Sequence, residues 1–296
     1  MTKILICICT YHRNKELIEC LSSLNKAILP KNLRIKLLIL DNSKNKTTFN
    51  LFKEYKKKLN FPIIYSSEKK RGIVFARNKC LKIGKKMKIN YLGFLDDDCK
   101  IKKNWFINLK KLIIKFKPSI ITGPQIHKNE LANIFEKSYN ENIAFVKWSS
   151  NNNVFIKREI LIKENLCFDK RLNKFGMGED QLFFLKLYYK GYKILWSNKL
   201  IVTEITHKHR KSLKWIIRRS FRLGVLGSYI DKQINGNING IIINYLKSFF
   251  YLLKSSFEII KFFKKKFYLY SISYFFRSLG RILGIMIYKK INFYKI

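Results

Sequence analysis

The sequence predicts an α/β fold, with a mostly parallel sheet flanked by helices, followed by a C-terminal amphipathic helical extension. Short apolar runs alternate with amphipathic stretches over the first two thirds of the chain, which is typical of strands alternating with helices. The last third is basic, aromatic-rich and poor in acidic residues. The whole chain has 296 residues, 47% of them apolar, which is typical of one domain with a hydrophobic core plus an additional segment. We expect the division at 1–225 and 226–296.

Five apolar runs have the length and composition of buried strands: Lys3–Cys9, Ile35–Leu40, Pro62–Tyr65, Tyr91–Leu95 and Ile120–Thr122. Helical spacing of apolar residues after the first, third and fourth runs predicts helices there. Strand–helix–strand units of this length form right-handed crossovers, and therefore parallel strands. Because such sheets bind ligands beyond the carboxyl ends of their strands, functional residues are expected at that edge.

The C-terminal region is predicted to associate with a membrane surface. From Ile241 to Lys266 one narrow stripe of a helix carries Lys247, Lys254, Glu258, Lys261 and Lys265, and most of the remainder is Phe, Leu, Ile and Tyr. The basic run Lys264–Lys266 and the aromatic-rich segment Phe267–Phe276 follow it. This pattern is typical of a helix in the plane of a membrane. A helix packed against its own N-terminal domain is the alternative.

The net charge of +42 at pH 7 raises the question of nucleic acid binding. Lysines outnumber arginines by about four to one, whereas recognition of bases and phosphates favours arginine. The excess charge is also spread along the whole chain. We therefore expect no nucleic acid partner, and attraction to anionic lipid instead.

The cysteine pattern and the hydropathy pattern bear on location. The six cysteines contain no CxxC pair, and most lie in apolar patterns, which indicates reduced, buried thiols. The apolar run at residues 4–9 is too short for a signal peptide, and no run of 18 uncharged apolar residues predicts a spanning helix. The expected location is cytoplasmic, peripheral to the inner face of the membrane.

Three consecutive carboxylates, Asp96, Asp97 and Asp98, follow the fourth apolar run. In an extended segment residues two apart point the same way, so Asp96 and Asp98 would face one site. Clustered carboxylates repel one another unless a cation lies between them, and oxygen ligands suit Mg²⁺ or Mn²⁺. The sequence therefore predicts a divalent metal site, with a solvated acidic turn as the alternative.

Other polar residues lie at the same predicted edge. Asp41 closes the second strand, where an acid in such sheets meets the base or ribose of a nucleotide. Thr10 and Arg13 follow the first strand, and Arg71 and Arg77 bring guanidinium groups suited to phosphate. A turn, a helix start and a surface salt bridge are the ordinary alternatives for these residues.

Two further candidates lie later in the chain. Glu179 and Asp180 open a helix, where the helix dipole stabilises acids, and an ionised acid there could act as a general base. His207, two residues before His209, could complete the metal's coordination through a neutral imidazole. Surface histidines without a ligand are the alternative.

Together the motifs resemble the family 2 glycosyltransferases with the GT-A fold, over roughly residues 1–225. The segments that carry the resemblance are, in order, CTYHRNKELIECLSSL, LLILDNS, RGIVFARN, FLDDDC, SSNNNVFIKREIL and FDKRLNKFGMGEDQLFFLKLYYKGYKI. They follow the family's order at about its spacing. The resemblance implies a GT-A, Rossmann-like catalytic domain that binds a nucleotide-sugar donor.

The resemblance also implies roles for particular residues. Thr10, Asp41 and Arg77 would hold the nucleotide. Asp96 would contact the ribose or the metal, and Asp98 would bind the Mg²⁺ or Mn²⁺ that bridges the diphosphate. Asn42 and His12 stand where many members carry Asp and Asn, so the choice of nucleotide stays open.

For the reaction, the resemblance implies inverting sugar transfer to an acceptor hydroxyl, with Asp180 as the base and Glu179 beside it. A lipid-linked or cell-envelope glycan is the expected acceptor. One alternative is transfer to a polyprenyl phosphate, which is already anionic and needs no base. The other is a non-catalytic basic module that binds membranes or nucleic acid.

Overall fold

A computed structural model of the chain describes residues 1–43, 47–127, 134–135, 141–205, 212–260 and 267–288. The chain divides into two compact units. The first unit comprises residues 1–128, 136–173 and 179–205. The second comprises residues 129–135, 174–178 and 206–296.

The described strands and helices of the first unit follow one another along the chain in mixed order. They are β1 (Thr2–Thr10), α1 (Asn14–Asn25), β2 (Leu33–Asp41), α2 (Thr47–Lys58), β3 (Ile63–Ser67), α3 (Ile73–Lys86), β4 (Tyr91–Leu95), β5 (Cys99–Ile101), α4 (Trp105–Phe116), β6 (Ile120–Thr122), β7 (Gln125–His127), β8 (Ile143–Val146), β9 (Asn153–Lys157), α5 (Arg158–Lys163), α6 (Glu179–Tyr189), β10 (Ile194–Ser197) and β11 (Val202–Glu204). A 3₁₀ helix covers Lys170–Phe175.

Eight of the described strands form the main sheet, in the order β3-β2-β1-β4-β9-β6-β10-β8. β1 pairs in parallel with β2 and β4, as predicted, and β9 runs antiparallel between β4 and β6. All five predicted strands are present. The other six described strands, β9 among them, were not predicted, and the apolar run of β9 is short and follows a polar loop. Because β1 lies between β2 and β4 and is parallel to both, the carboxyl ends of these three strands lie side by side.

The core of the first unit lies on both faces of this sheet. Successive residues of β1 point to opposite faces, and each face is covered by apolar side chains of the helices. Leu17, Leu21 and Leu24 of α1 are buried on one face, and Val74 and Leu81 of α3 are buried on the other. The predicted helical faces are confirmed. Five of the six cysteines lie in this interior or at its margin, Cys167 is exposed, and all six are free thiols.

A second sheet, in the order β5-β11-β7, supports the segment that follows β4. β11 pairs antiparallel with β5 and in parallel with β7. Just after β11, the backbone N–H of Ile205 donates to the carbonyl oxygen of Asp98 at 2.9 Å. The acidic segment is therefore held by the main sheet before it and by this sheet after it.

The second unit contains α7 (Leu213–Asn235), α8 (Asn237–Ile260) and α9 (Phe267–Ile287). Helix α7 begins at a Ser212 cap and continues through residue 225, where we expected the domain boundary. Gly236 alone separates α7 from α8. Gly236 has φ = 81°, a conformation that glycine adopts without steric cost.

Close packing of α7 and α9 depends on small residues. A Cβ atom on Gly224 of α7 would lie 2.2 Å from the carbonyl oxygen of Arg277, so only glycine permits this approach. Buried hydroxyls pair across the same contact, with Ser220 and Ser273 at 2.8 Å. Helices packed through small residues and hydroxyl pairs are characteristic of apolar surroundings.

Helix α8 has inverted polarity. The stripe that packs against α9 is polar, because Asn244, Ser248 and Ser255 are buried and hydrogen-bonded to α9. Its exposed surface carries large apolar side chains: Ile238, Ile242, Tyr245, Leu246, Phe249, Phe250, Leu252, Leu253, Phe257 and Ile259. We call these ten residues the α8 apolar surface.

Among the residues that the structure describes, none of the helices combines the length and the apolarity needed to cross a membrane.

Candidate active site

The acidic segment after β4 forms a turn. The backbone N–H of Cys99 donates to the carbonyl oxygen of Asp96 at 3.1 Å, which closes residues 96–99 into a turn. The prediction that Asp96 and Asp98 share a face assumed extended backbone, and it is wrong for that reason. Asp97 and Asp98 instead share one partner, and Asp96 has another.

Arg13 is the shared partner. Its Nη1 lies 3.2 Å from Oδ1 of Asp97 and 3.0 Å from Oδ2 of Asp98. Both carboxylates are buried, at 3% exposure each. Burial is the main cause that raises the pKa of Asp97 to about 7; Asp98 raises it further, and Arg13 opposes the shift. One guanidinium therefore balances two crowded acids.

Arg77 binds the other acids. Its guanidinium pairs with Asp96 at 3.1 Å and with Glu179, which opens α6. Burial acts to lower the pKa of Arg77, but Glu179 and Asp96 together raise it above its ordinary value. Arg77 was expected to contact phosphate. Its side chain is 9% exposed, and it joins the acidic turn to the acidic pair.

Asp180 lies beside this ion pair and keeps partial exposure, whereas Glu179 is buried. Burial of the Asp180 carboxyl is the main cause that raises its pKa to about 7, and the neighbouring Glu179 adds to the shift. The backbone N–H of Gln181 donates to its Oδ1 at 2.7 Å. A carboxyl poised near neutral pH can accept a proton in the physiological range.

Asp41 lies at the carboxyl end of β2 and is fully buried. Its Oδ1 accepts from the backbone N–H and the hydroxyl of Ser43, and its Oδ2 accepts from the hydroxyl of Tyr65 at 2.8 Å. Thr10, at the end of β1, is buried next to it, and its carbonyl oxygen accepts from the N–H of Asn42. Asp41 therefore fixes the shape of this corner of the edge.

Asn42 organises the loop between β3 and α3. Its amide nitrogen donates to the carbonyl oxygens of Glu68 and Lys70, and its amide oxygen accepts from the N–H of Gly72 at 2.8 Å. Gly72 has φ = 132°, and a Cβ atom there would lie 1.9 Å from Oδ1 of Asn173, so glycine is required.

Arg71 lies in the same loop and is exposed to solvent. Its Cζ lies 5.3 Å from the ring centroid of Tyr11, which follows β1 and is itself 40% exposed. An exposed arginine held over an aromatic ring keeps its N–H groups available for an anion. The assignment of Arg71 as a phosphate ligand stays a prediction.

The carboxylate oxygens of the acidic turn are suitable ligands for a divalent cation. Asp97 and Asp98 supply hard carboxylate oxygens, and their charge already attracts a cationic group. Within the described part of the chain, no group of three or more His, Cys, Asp or Glu side chains is arranged around a common metal position. A Mg²⁺ or Mn²⁺ ion held by one or two carboxylates takes its other ligands from water and phosphate. His207, the third predicted ligand, lies outside the described residues.

Three asparagines of the family motifs were assigned no structural role by sequence reasoning. Asn42 holds the loop before α3, and Asn78 pairs with both backbone groups of Phe168. Asn151 is 1% exposed, and neither amide atom has a partner among the described residues. A buried, unsatisfied amide is costly. The motifs mark the segments that contain these asparagines, but no local signal predicts the surroundings of each side chain.

The fold and the site define a class: an α/β protein that collects carboxylates and guanidinium groups at the carboxyl edge of its parallel strands, as nucleotide-binding proteins do. The chain belongs to the glycosyl transferase family 2, whose model matches residues 5–174. It is therefore a glycosyltransferase with a GT-A fold, as the sequence motifs predicted.

The relatives found agree with this family. The chain is 28% identical over 225 residues to the succinoglycan biosynthesis protein ExoM of Rhizobium meliloti (strain 1021). The aligned region covers 73% of this chain and 71% of ExoM. Among solved structures, TarS 1–349 of S. aureus in complex with UDP-GlcNAc has a TM-score of 0.57 at 17% identity, covering 98% of this chain and 92% of that one. The chain spans 55% of the longer TarS structure.

The mannosyltransferase PcManGT of Pyrobaculum calidifontis, solved with GDP-Man and Mn²⁺, has a TM-score of 0.64 at 13% identity. The similarity covers 96% of this chain and 87% of that one. At these identities the structural similarity establishes the fold, which confirms the predicted α/β architecture.

Proposed function

We propose that the chain transfers a sugar from a nucleotide-sugar donor to an acceptor hydroxyl, with inversion at the anomeric carbon and with a divalent cation. The observation that carries this proposal is the Asp180 carboxyl, which is partly exposed and has a pKa of about 7. A base of this kind is what a neutral hydroxyl acceptor needs.

Glu179 and Asp180 would have different roles, one structural and one catalytic. Glu179 is buried against Arg77 and holds the first turn of α6 in place. Asp180, the next residue, is the one able to reach a substrate. It would take the proton of the acceptor hydroxyl while that oxygen attacks the anomeric carbon and the nucleoside diphosphate departs. A single displacement inverts the configuration.

The donor would bind at the edge formed by β2, β1 and β4. Asp41 and Thr10 form the base and ribose end, while Arg71 and Arg13 supply charge for the diphosphate. Asp97 and Asp98 would hold Mg²⁺ or Mn²⁺, which would offset the negative charge that develops on the leaving diphosphate. The bound UDP-GlcNAc of TarS and the GDP-Man and Mn²⁺ of PcManGT support such a donor.

The test is transfer from UDP- and GDP-sugars to a polyprenyl-diphosphate-linked sugar, followed by NMR of the new anomeric centre. We expect the product to have the opposite configuration to the donor. Asp180→Asn should lower kcat by about 10²–10⁴-fold. Glu54→Gln, an exposed acid on α2, is the control and should leave kcat unchanged.

Two outcomes of this test contradict the proposal. Retention of configuration excludes a single displacement. Full transfer by Asp180→Asn excludes the base, and it favours an acceptor that is already anionic, such as a polyprenyl phosphate.

We further propose that the second unit binds an anionic membrane surface, where a lipid-linked acceptor resides. The α8 apolar surface exposes ten large side chains on one helix, whereas exposed apolar residues of soluble proteins are usually scattered singly. Lys247 and Lys254 of α8 are exposed beside it, and the chain carries a net charge of +42, so anionic headgroups complement it.

Flotation with vesicles tests this surface. The chain should float with vesicles that contain about a third phosphatidylglycerol, and it should float less with neutral phosphatidylcholine, because charge and apolar burial both contribute. If the chain stays at the bottom of the gradient with both, the membrane proposal fails and the α8 apolar surface contacts something else.

A further inference from the structure

Arg13 and Arg77 both bind the acidic turn, but their surroundings differ. Arg77 is buried between Asp96 and Glu179 and is held by both. Arg13 precedes α1 and reaches the turn from solvent, and its side chain is 38% exposed. Arg13 can therefore leave its partners without unfolding anything, while Arg77 cannot.

The contact of Arg13 is that of a bridging cation. A single nitrogen, Nη1, lies between Asp97 and Asp98, about equally far from one oxygen of each. These two carboxylates are also the donors best placed for a divalent ion. A metal bound to them would bring two positive charges next to the guanidinium, and the two cations would repel each other.

We propose that Arg13 substitutes for the divalent cation while the donor is absent, and that it couples metal binding to nucleotide binding. This inference rests on the proposed function. Metal alone must displace Arg13 from Asp97 and Asp98 without giving it another partner. Metal that arrives with a nucleoside diphosphate brings a phosphate that Arg13 can bind, so each ligand strengthens binding of the other.

Two consequences follow for Mn²⁺ binding. Without nucleotide, Arg13→Gln should bind Mn²⁺ more tightly than wild type, because the competing cation is gone. With nucleotide, the gain in Mn²⁺ affinity should be smaller in the variant than in wild type. Coupling between two ligands is typically about 5–150-fold, and we expect Arg13→Gln to lose most of it.

The experiment measures free Mn²⁺ by electron paramagnetic resonance during titration of the full chain, with and without UDP or GDP. Wild type, Arg13→Gln and the matched control Lys15→Gln are compared. Lys15 is exposed on α1, two residues from Arg13, so its replacement removes the same charge without removing the contact. Circular dichroism confirms that each variant is folded.

The expected result is about threefold or more tighter binding of Mn²⁺ alone by Arg13→Gln than by Lys15→Gln, with a smaller effect of nucleotide. If both variants bind Mn²⁺ equally tightly while wild type still binds Mn²⁺ with UDP or GDP, the role of Arg13 is overturned and the proposed function is not. Absence of Mn²⁺ binding in every protein and condition overturns both the inference and the metal site of the proposed function.

Discussion

The first unit points leucine, isoleucine and phenylalanine inward and brings Asp97, Asp98 and Arg13 together at one edge of the sheet. The second unit buries serine and asparagine between α8 and α9 and an ion pair between α7 and α9, and α8 exposes large apolar side chains. Water favours the first arrangement, and hydrocarbon or headgroup surroundings favour the second. This contrast supports the proposal that the second unit binds a membrane surface.

The largest effect on stability is expected when the buried ion pair inside the second unit is removed. Asp231 of α7 and Arg281 of α9 are both buried and lie 2.7 Å apart, and Arg281 also donates to Asn244. Arg281→Met leaves Asp231 without its buried partner and should lower the free energy of unfolding by about 3–5 kcal/mol. Urea unfolding followed by circular dichroism measures it.

Lys247→Met is the control for that change. Lys247 also pairs with Asp231, at 2.6 Å, but its side chain is half exposed. Its loss should cost at most about 1 kcal/mol. If both variants lose the same small amount, the interior of the second unit does not depend on its polar network.

A smaller effect is expected at the α8 apolar surface. Phe249→Glu replaces an exposed phenyl ring with a charge, so it should leave folding intact and weaken binding to anionic vesicles about 10–100-fold, from the ~1.5–3 kcal/mol of one buried aromatic side chain. Ser256→Glu makes the same charge change at an exposed polar position of α8. Equal loss in both variants would attribute binding to charge alone.

The smallest effect concerns pH. The pKa of Asp180 is raised to about 7, and the base must be ionised to work, so kcat/KM should fall about tenfold per pH unit below 7. The same raised pKa means that Asp180 stabilises the fold fully below about pH 4 and loses that contribution as pH rises through 7. Asp180→Asn should therefore remove part of the loss of stability between pH 4 and 8, measured by urea unfolding.

A pH–rate profile that is flat from pH 5 to 8 contradicts the role of Asp180. A profile that keeps the same midpoint in a slow Asp180→Asn variant assigns the titration to another group.

Much of the first unit could be predicted because its strands are continuous apolar runs and its helices keep one apolar face. β9 could not, because its three apolar residues after a polar loop give no strand signal on their own. In the second unit the apolar residues of α8 indicated a lipid surface. The polar stripe that packs against α9 is a tertiary property, which helical periodicity alone does not give.

Within the site, the residue types were predictable and their partners were not. The acidic turn, Arg77 and the pair at Glu179 lie at the expected edge. The assignment of Arg77 to phosphate missed its burial, because a contact across 102 residues of sequence has no local signal. The extended geometry assumed for Asp96–Asp98 missed the hydrogen bond that closes the turn.

The most direct test of the central claim is calorimetric binding of UDP, GDP, dTDP and CDP to wild type and Asp98→Asn, each with and without Mn²⁺. We predict that one of these nucleotides binds wild type tightly when Mn²⁺ is present and weakly without it, and that Asp98→Asn loses the effect of the metal. If none binds under any condition, or if Asp98→Asn binds as wild type does, the acidic turn is not a metal–nucleotide site and the account is contradicted.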